Sequence, residues 1–297
     1  MIRFALLLLA SLTLVAADQP AGRSFLMLGG LTQIVDGSGK AIWKYPAATR
    51  DGYVLPNGNL LLTLSKNKAY PGGAVVEVTR DQKIVWEYKG TQSEVNTAVL
   101  LANGNIMLTE AGDKPRLLEV ARDGSIKVEI PLGCQVTNHH LQSRMARPLP
   151  NGHYLVPQDK TVREYDAAGK VVWERKNPES ALDNRSFCCL RNAAGHTLIS
   201  LTVGNHIIEV DAEGKIVWEL RDGDLPGVPV NRTTALSWLP NGNIVFSNYA
   251  ARAPQPKLVE ITREKKVVWT YVDGTKEGVH EFQLLDEAGK PLAGVLR

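Results

Sequence analysis

Residues 195–220, GHTLISLTVGNHIIEVDAEGKIVWEL, contain two short patterns that return along almost the whole chain. The first half has a turn glycine followed by an apolar stretch. The second half has alternating apolar and polar residues, a polar turn and a strand that ends in Trp-Glu. Alternation of this kind over four to eight residues is typical of β-strands. The stretch is therefore a repeat unit built from strands.

The first pattern is a hairpin centred on a turn glycine. Asn-Gly is a favoured two-residue turn between strands, since both residues tolerate positive φ. The pattern occurs as LPNGNLLL at 55–62, LANGNIML at 101–108, LPNGHYLV at 149–156, NAAGHTLI at 192–199 and LPNGNIVF at 239–246.

The second pattern is a hairpin that usually ends in tryptophan. Alternating residues such as VVEV at 75–78 precede it and suit a strand. It occurs as DGSGKAIW at 36–43, RDQKIVWEY at 80–88, RDGSIKVEI at 122–130, DAAGKVVWE at 166–174, DAEGKIVWE at 211–219 and REKKVVWTY at 263–271.

Five copies of the first pattern face six copies of the second, and the segment 284–294 supplies the missing partner. There LLDEAGKPLAG overlays LRNAAGHTLIS at 190–200. The turn glycines then fall at 58, 104, 152, 195, 242 and 289, a period near 45 residues. Such a period with four short strands per unit is typical of propellers. We predict an all-β fold, a six-bladed β-propeller of four antiparallel strands per blade, over residues 18–297.

Half a unit at each end of this range predicts how the ring closes. Residues 280–297 would give the inner two strands of one blade, and residues 25–46 the outer two. Sharing a blade in this way removes the open edge that a linear array of sheets would leave. Neither a second domain nor a linker is expected.

Two columns of residues repeat at fixed places in the units. Tryptophan at 43, 86, 173, 218 and 269, with Val128 in the sixth unit, suits a wedge between blades, each burying roughly 150–250 Å². Glutamate recurs at 77, 119, 164, 209 and 260. A catalytic group is needed once, so a carboxylate repeated in five blades is interpreted as structural.

Residues 1–17 are typical of a secretory signal, with Arg3 before an apolar core that is too short to span a bilayer and small residues up to Ala17. We therefore expect an exported protein, periplasmic or secreted, with no membrane insertion. Removing the signal leaves 33 basic against 31 acidic residues. This balance predicts no bulk attraction to nucleic acid, and a monomer is the default.

The chain has three cysteines, Cys134, Cys188 and Cys189. A bridge from Cys134 to one of the adjacent pair is plausible in an oxidising compartment. The alternative is that these residues are small buried hydrophobes.

The DAEGKIVWEL motif at 211–220 resembles the tryptophan-docking repeat of the pyrroloquinoline quinone (PQQ) family of propellers. LPNGN followed by a strand of the VVWEY type is similar to repeats of bacterial arylsulfotransferase-like propellers. The resemblance implies the architecture. Large quinoproteins have eight blades and calcium ligands that have no counterpart here, and no histidine matches a sulfotransferase motif. PQQ with calcium is therefore disfavoured, and we expect no cofactor.

Segments that break the repeat are the candidates for function. The turns keep a constant length on one face of the ring, whereas the connections on the opposite face vary, and binding residues favour such loops. Four arginines, Arg50, Arg144, Arg185 and Arg232, approach the channel there from four blades. Arginine forks suit carboxylate, sulfate or phosphate groups. The alternative is that they only pair with acids such as Glu94, Asp183 and Glu281.

Other residues at this face are weaker candidates. Asn96, Gln142 and Glu281 align with the arginine positions, and Asn248 ends a strand nearby. Tyr249 could stack on a sugar ring. His139 and His140, in the irregular segment 131–144, and His280, next to Glu281, are candidate acids or bases. No known metal-ligand spacing is present, so no metal site is predicted.

The leading hypothesis is a binding module whose funnel accepts an anionic or polyhydroxylated small molecule or oligosaccharide, such as a modified glycan. The first alternative is a lyase, hydrolase or sulfotransferase that uses a funnel histidine as acid or base. The second is a protein-interaction scaffold. The fold does not choose among them.

Overall fold

The computed structural model describes residues 22–134 and 136–297, so the predicted signal at 1–17 lies outside the described residues. The regular secondary structure of the described residues is β-strand, apart from a single 3-10 turn at His139–Leu141. Within these residues we find no helix with the length and apolarity that crossing a membrane requires.

Twenty-four strands follow one another in the sequence. They are β1 (Ser24–Gly29), β2 (Thr32–Val35), β3 (Ala41–Tyr45), β4 (Thr49–Val54), β5 (Leu60–Leu64), β6 (Ala74–Val78), β7 (Ile84–Lys89), β8 (Glu94–Leu100), β9 (Ile106–Ala111), β10 (Arg116–Val120), β11 (Ile126–Pro131), β12 (Arg147–Pro148), β13 (Tyr154–Gln158), β14 (Thr161–Tyr165), β15 (Val171–Lys176), β16 (Ser186–Arg191), β17 (Thr197–Leu201), β18 (His206–Val210), β19 (Ile216–Arg221), β20 (Thr233–Trp238), β21 (Ile244–Asn248), β22 (Leu258–Ile261), β23 (Val267–Tyr271) and β24 (Val279–Leu285).

The strands form six antiparallel sheets of four, which are the blades of a ring. Five blades are consecutive in the chain: β4–β7, β8–β11, β12–β15, β16–β19 and β20–β23. The sixth has the order β24-β1-β2-β3. First strands of neighbouring blades pack together around the central channel, as β4 does with β24 and β8, and β20 with β16 and β24. The predicted six-bladed propeller, closed by strands from both ends of the sequence, is confirmed.

The composition of the shared blade differs from the prediction of two strands from each end. One strand, β24, comes from the C-terminal segment, and three come from the N-terminal segment. The strand β1 is almost fully buried and pairs with β24 along its whole length, from Ser24 opposite Leu285 to Gly29 opposite Val279. Residues 286–297 therefore form no strand of this blade; after a bridge between Pro291 and Leu285 they cross to Trp238 of the neighbouring blade. The apolar strand β1 takes the position next to β24 that was predicted for a second C-terminal strand.

The turns also differ in type from the prediction. In each turn of the first pattern the glycine has positive φ, as Gly58 does at 86°, while the asparagine before it does not. The Gly58 N–H donates to the Leu55 carbonyl, and the Leu55 N–H donates to the Asn59 carbonyl. This is a type I turn closed by a left-handed glycine rather than a two-residue Asn-Gly turn. The glycine is required because a side chain at that φ would be strained.

In the described part of the chain, four of the six blades are attached to the next through the tryptophan column. The indole N–H of Trp43, Trp86, Trp173 and Trp218 donates to a turn carbonyl of the following blade, at 2.8, 3.0, 3.0 and 2.9 Å. The glutamates of the second column also link neighbouring blades, but they accept hydrogen bonds instead of donating them. Glu77 accepts from Arg122 of the next blade and from Asn59 of its own. The assignment of both columns to scaffold agrees with these contacts.

The predicted disulfide from Cys134 to Cys188 or Cys189 is absent from the structure. All three cysteines are free, and Cys188 and Cys189 are fully buried in β16. Burial raises the pKa of the Cys188 thiol to about 12, so it is an unreactive thiol. The adjacent pair is part of the hydrophobic core, as the alternative held.

Replacing the wedge should separate neighbouring blades. Trp218→Ala removes the indole, its hydrogen bond to the Arg263 carbonyl and its stacking under the Arg263 guanidinium, 4.6 Å from the ring. We expect a loss of about 2–4 kcal/mol in the free energy of unfolding, near the range for large aromatic truncations. Urea unfolding followed by circular dichroism measures it. The matched control is Val217→Ala, because Val217 is exposed on the same strand and should cost less than ~1 kcal/mol. Equal losses in both variants would contradict the wedge.

Candidate functional site

The entrance of the channel is shaped by bulges at the start of the innermost strands. One extra residue interrupts the pairing of β4, β8 and β24, at Arg50, Asn96 and His280. Similar shifts occur around Phe187 and Thr234 in β16 and β20. A bulge bends the strand and re-aims the side chain it displaces. These residues are therefore placed by the backbone at the mouth of the ring.

The bulges correct the alignment of the shared blade. Counting back from the turn glycine pairs Glu281 with Arg50, whereas the pairing of β24 with β1 makes His280 the bulged residue. In the other blades the turn joins the two inner strands and fixes their register. The partner of β24 comes from the other end of the described chain, so the turn at Gly289 does not set the register. His280 is the counterpart of Arg50, and Glu281 is the counterpart of Asp51.

A cavity of about 390 Å³ occupies this mouth, and we name it the upper cavity. It lies on the face of the variable connections, where the sequence placed the candidate site. It gathers the four predicted arginines and two of the three predicted histidines. Its lining includes Arg50, His140, Arg144, Arg185, Arg232, His280 and the rings of Phe187 and Tyr249.

One wall of the upper cavity is an ion cluster centred on Glu94, which is 5 % exposed. Its carboxylate lies 3.2 Å from Arg50 Nη2 and 3.1 Å from His140 Nδ1. Burial alone would raise the pKa of Glu94. The His140 hydrogen bond and the charges of Arg50, His140 and Arg144 outweigh burial and lower the pKa to about 2. Glu94 is thus a carboxylate whose charge holds the two basic side chains in place.

Arg144 differs from the other arginines in its lack of a carboxylate partner. It is 5 % exposed, forms no ion pair within the described part of the chain, and its Nη1 atom is buried with no hydrogen-bond partner there. Its guanidinium lies 5.2 Å from the centre of the Phe187 ring. Burial and the nearby Arg50 charge lower the pKa of Arg144 to about 9 despite Glu94. The cavity therefore holds a buried positive charge that the protein leaves largely uncompensated.

The two remaining arginines are not equivalent to Arg144. Arg185 pairs with Asp183 and Asp159, so its charge is already neutralised. Arg232 is exposed at the rim, where its backbone has a positive φ of 49° and its N–H donates to the Asn205 side chain. Of the predicted set of four anchors, two are in ion pairs (Arg50 and Arg185), one is at the rim, and Arg144 is the one that faces the cavity from a buried position without a carboxylate.

His280 lies half-buried on the opposite wall, between the edges of Phe187 and Tyr249. Its Nδ1 is 3.0 Å from the Arg50 carbonyl, so this nitrogen is the donor and Nε2 carries the lone pair. Burial, followed by the charges of Arg50 and Arg144, lowers its pKa well below the usual range. His280 is therefore a neutral imidazole whose acceptor nitrogen is available for chemistry.

The other predicted residues lie outside the upper cavity and have structural partners. Gln142 bonds to the backbone of Gly112 and Val136 at 2.8 and 3.1 Å, and Asn248 bonds to the backbone of two neighbouring loops. Asn96 donates to the Ser143 carbonyl at 3.0 Å. His139 points to Asp113, 3.2 Å away. These residues do lie near the mouth of the channel, as predicted, but their side chains bond to neighbouring loops and do not face the cavity.

Glu281 belongs to a second cluster deeper in the channel that the sequence did not reveal. It is fully buried with Asp51, and Arg147 bridges the two carboxylates at 2.9 and 3.0 Å. Arg297 approaches the same pair from the opposite face of the ring. No regular spacing links these four residues, so only the folded ring brings them together.

Metal chemistry has little support in this arrangement. Across residues 22–134 and 136–297 no cluster of three or more His, Cys, Asp or Glu side chains is placed to hold a metal ion. What the upper cavity offers is hydrogen-bond donors, a neutral imidazole and two aromatic edges.

Replacing Glu94 should remove stability in a pH-dependent way. Its pKa is lowered from the ordinary value of 4.5 to about 2 on folding, so its contribution is complete above pH ~4.5 and lost as the pH falls toward 2. Glu94→Gln should cost about 3 kcal/mol at neutral pH, and the difference from the wild type should shrink below pH ~4.5. Urea unfolding at several pH values measures it. Glu213→Gln, in an exposed turn, is the control and should show no such trend.

Solved structures share this architecture at low sequence identity. A protein of unknown function from Bacteroides caccae aligns with a TM-score of 0.76 and 23% identity over 90% of this chain and 100% of that one. A streptogramin B lyase aligns with a TM-score of 0.62 and 16% identity, over 92% and 90%. Virginiamycin B lyase from Staphylococcus aureus aligns with a TM-score of 0.60 and 15% identity, over 94% of both. These likenesses establish the fold.

No curated protein matches this sequence. A family model does match, over residues 122–293, which is more than half of the 297 residues. The matched region contains the repeats that carry the tryptophan and glutamate columns of three blades and the start of the shared one. The chain therefore belongs to the PQQ-like repeat family described as outer membrane protein assembly factor BamB.

Proposed function

We propose that this protein binds an anionic group of a small molecule or oligosaccharide in the upper cavity, with Arg144 as the main anchor. The observation that carries the proposal is the buried Arg144 guanidinium, for which the described residues supply no carboxylate. A buried charge is costly unless it is paired. An incoming carboxylate, sulfate or phosphate would supply the missing partner.

Arg50 supports the same reading from the facing strand. Its guanidinium is held by Glu94 through Nη2, while its Nε is buried without a hydrogen-bond partner among the described residues. Arg50 and Arg144 are close enough for each charge to act on the other. Two arginine forks side by side can hold both oxygens of an anion, and Glu94 fixes one of them in advance. The site is therefore preorganised for a negative group.

The shape of the upper cavity sets the size of the ligand. Its volume of about 390 Å³ lies at the lower end of the range for small-molecule sites, roughly 300–1,000 Å³. Phe187 and Tyr249 add apolar edges beside the arginines. A ligand with one acidic group on a compact ring, such as a uronic acid or a sulfated sugar residue, fits this combination. Export directed by the signal predicted at 1–17 would bring the protein into contact with such ligands outside the cytoplasm.

Removing the Arg144 charge should weaken anion binding and stabilise the unliganded protein. We expect Arg144→Met to weaken the affinity for anions by about 10- to 100-fold, the loss typical of one charge-assisted hydrogen-bonding group. Without ligand, its melting temperature should equal or exceed that of the wild type, because an uncompensated buried charge is gone. Isothermal titration with sulfate, phosphate, galacturonate oligomers and neutral oligosaccharides measures the first effect, and thermal unfolding the second.

The matched control is Arg221→Met, because Arg221 is an exposed arginine on the outer strand β19. It should bind anions like the wild type. The proposal would be contradicted by an anion affinity of Arg144→Met equal to that of the wild type, or by tight binding of the neutral sugars alone.

Catalysis at the same cavity is the second candidate. The observation in its favour is the neutral His280, whose Nδ1 donates to the Arg50 carbonyl and leaves Nε2 as a base. The His140–Glu94 pair faces it across the cavity and could return a proton. Two propellers of similar fold are named as lyases, and a catalytically inactive variant of one was solved with quinupristin. At their identities the likeness does not extend to residues, so the histidine geometry has to carry this candidate.

Turnover can be separated from binding at His280. If the protein is an enzyme, His280→Gln should lower the rate of product formation by about 100-fold or more, as loss of a general base does, while the dissociation constant changes little. Products are followed by mass spectrometry on the anionic ligands that bind. His139→Gln is the control, since His139 lies outside the cavity against Asp113. Absence of product with the wild-type protein would leave binding as the function.

A further inference from the structure

A second and larger cavity opens on the face of the constant turns. It has a volume of about 1090 Å³, and we name it the lower cavity. Its walls are turn residues of several blades, among them Asn151, Gly195 and Pro240, and the segment 291–297 forms one side. No role was predicted for this face, because its turns have constant length. The variable part is instead the segment after Gly289, which crosses the face.

A carboxylate pair lies behind Arg147 and Arg297, which line the inner end of the lower cavity. Asp51 and Glu281 are both fully buried, and Arg147 neutralises one of the two negative charges by bridging them. Burial raises the pKa of Glu281, although the two arginines oppose it. The second oxygen of each carboxylate accepts a backbone N–H, from Gly52 to Asp51 at 2.8 Å and from Phe282 to Glu281 at 3.0 Å. A positive group beside these two oxygens balances the remaining negative charge of the pair.

Arg297 supplies this positive group from the crossing segment. Its Nη2 lies 3.3 Å from Asp51 Oδ1 and 3.5 Å from Glu281 Oε1, and its Nη1 donates to the Gly52 carbonyl at 2.7 Å. The guanidinium stacks 4.1 Å from the centre of the Tyr53 ring. Two carboxylates, a carbonyl and an aromatic face surround one planar cation. Every one of these groups belongs to the inner strand β4 or to β24.

The fit of Arg297 is incomplete. Its Nε is buried without a hydrogen-bond partner among the described residues, and its contacts to the two carboxylates are long for charge-assisted bonds. Tyr53 Oη, also in the lining, is buried and unsatisfied within the same part of the chain. The recognition groups therefore exceed what Arg297 uses.

The segment that carries Arg297 is lightly attached to the ring. It has no strand of its own within the described residues, and Ala293 and Gly294 are exposed. Its backbone bonds are the pair between Leu296 and Trp238, at 2.8 and 2.9 Å, and one from Leu292 to Leu284 at 3.0 Å. Arg147, by contrast, is held within strand β12. The ring builds the acceptor site, and Arg297 enters it from outside.

We propose that the inner end of the lower cavity is a recognition site for a guanidinium group, which Arg297 occupies as an internal stand-in. The ligand is a small guanidine or the arginine side chain of an extended peptide, which displaces the segment 291–297. The backbone pairing of Leu296 with Trp238 shows how a peptide would add its own hydrogen bonds. This site is separate from the anion site, because its charges have the opposite sign and it opens on the other face.

The test uses chemical rescue of Arg297→Ala in the full chain. Agmatine at millimolar concentration should raise the melting temperature of Arg297→Ala and leave the wild type nearly unchanged, because Arg297 competes for the site. Titration calorimetry should show agmatine binding to the variant at least 10-fold more tightly than to the wild type. Butylamine, which has the charge without the planar fork, should bind at least 10-fold more weakly than agmatine.

Further variants assign the binding to the carboxylate pair. Arg297→Ala with Glu281→Gln should lose agmatine binding by at least 10-fold, whereas Arg297→Ala with Glu287→Gln, in the exposed turn, should keep it. Acetyl-Val-Leu-Arg-amide distinguishes the two ligand sources. Tighter binding than agmatine supports a peptide, and equal or weaker binding supports a small guanidine.

Two outcomes overturn the proposal. One is a folded Arg297→Ala that neither binds agmatine nor is stabilised by it. The other is equal binding with and without the Glu281 carboxylate. If Arg297→Ala does not fold, Arg297→Lys keeps the charge, and agmatine should stabilise it more than the wild type. Failure of this rescue shows that Arg297 is only a structural plug, which also overturns the proposal.

Discussion

The contact between one blade and the next is the interaction on which the rest of this structure depends. The indole N–H groups of Trp43, Trp86, Trp173 and Trp218 each reach a turn carbonyl of the following blade, and each column glutamate accepts from its neighbours. A four-stranded sheet cannot bury both of its faces alone, so these contacts turn six marginal sheets into one core. The repeated tryptophans and glutamates serve these contacts between blades. Function is consequently left to residues that occur once.

The channel separates two electrostatic environments within the length of a strand. At one end, Arg50 and Arg144 give the mouth a positive character that Glu94 only partly offsets. Deeper in the channel, Asp51 and Glu281 give a negative character that Arg147 and Arg297 balance. The separation arises from successive residues of the same strand, since Arg50 and His280 are displaced by bulges and Asp51 and Glu281 follow them. The same bulge therefore places a basic residue at the mouth and the following acidic residue deeper in the channel.

The ring could be predicted from the sequence because nearly the same residues pack the blades together in all six repeats. The prediction was wrong for structural features that occur only once in the chain. The strand β1 carries no repeat signature, and its pairing with β24 replaced the expected second strand. Counting from Gly289 misplaced Glu281 because register there depends on a partner distant in the chain.

The candidate site was predicted in position but not in detail. Arg50, Arg144, Arg185 and Arg232 do converge on one cavity. Which of them has a carboxylate partner depends on contacts such as Arg185 with Asp159, 26 residues away, and these follow no sequence rule. Gln142 and Asn248 have polar side chains at the correct depth, yet loop backbones use them. Polar residue type at a mouth position does not distinguish a ligand contact from a loop support.

The shared blade also bears on how the molecule reaches and leaves its folded state. The strands β1 and β24 are separated by most of the described chain, so their pairing closes a far larger loop than any hairpin within a blade. Loop closure carries an entropic cost that must be met before such pairing is rewarded, which delays long-range contacts relative to local ones. The five consecutive blades can form as local units, and the pairing of β1 with β24 forms last. Thermal or mechanical unfolding should begin by separation of β1 from β24, because this is the one place in the ring where a blade is not continuous in the chain.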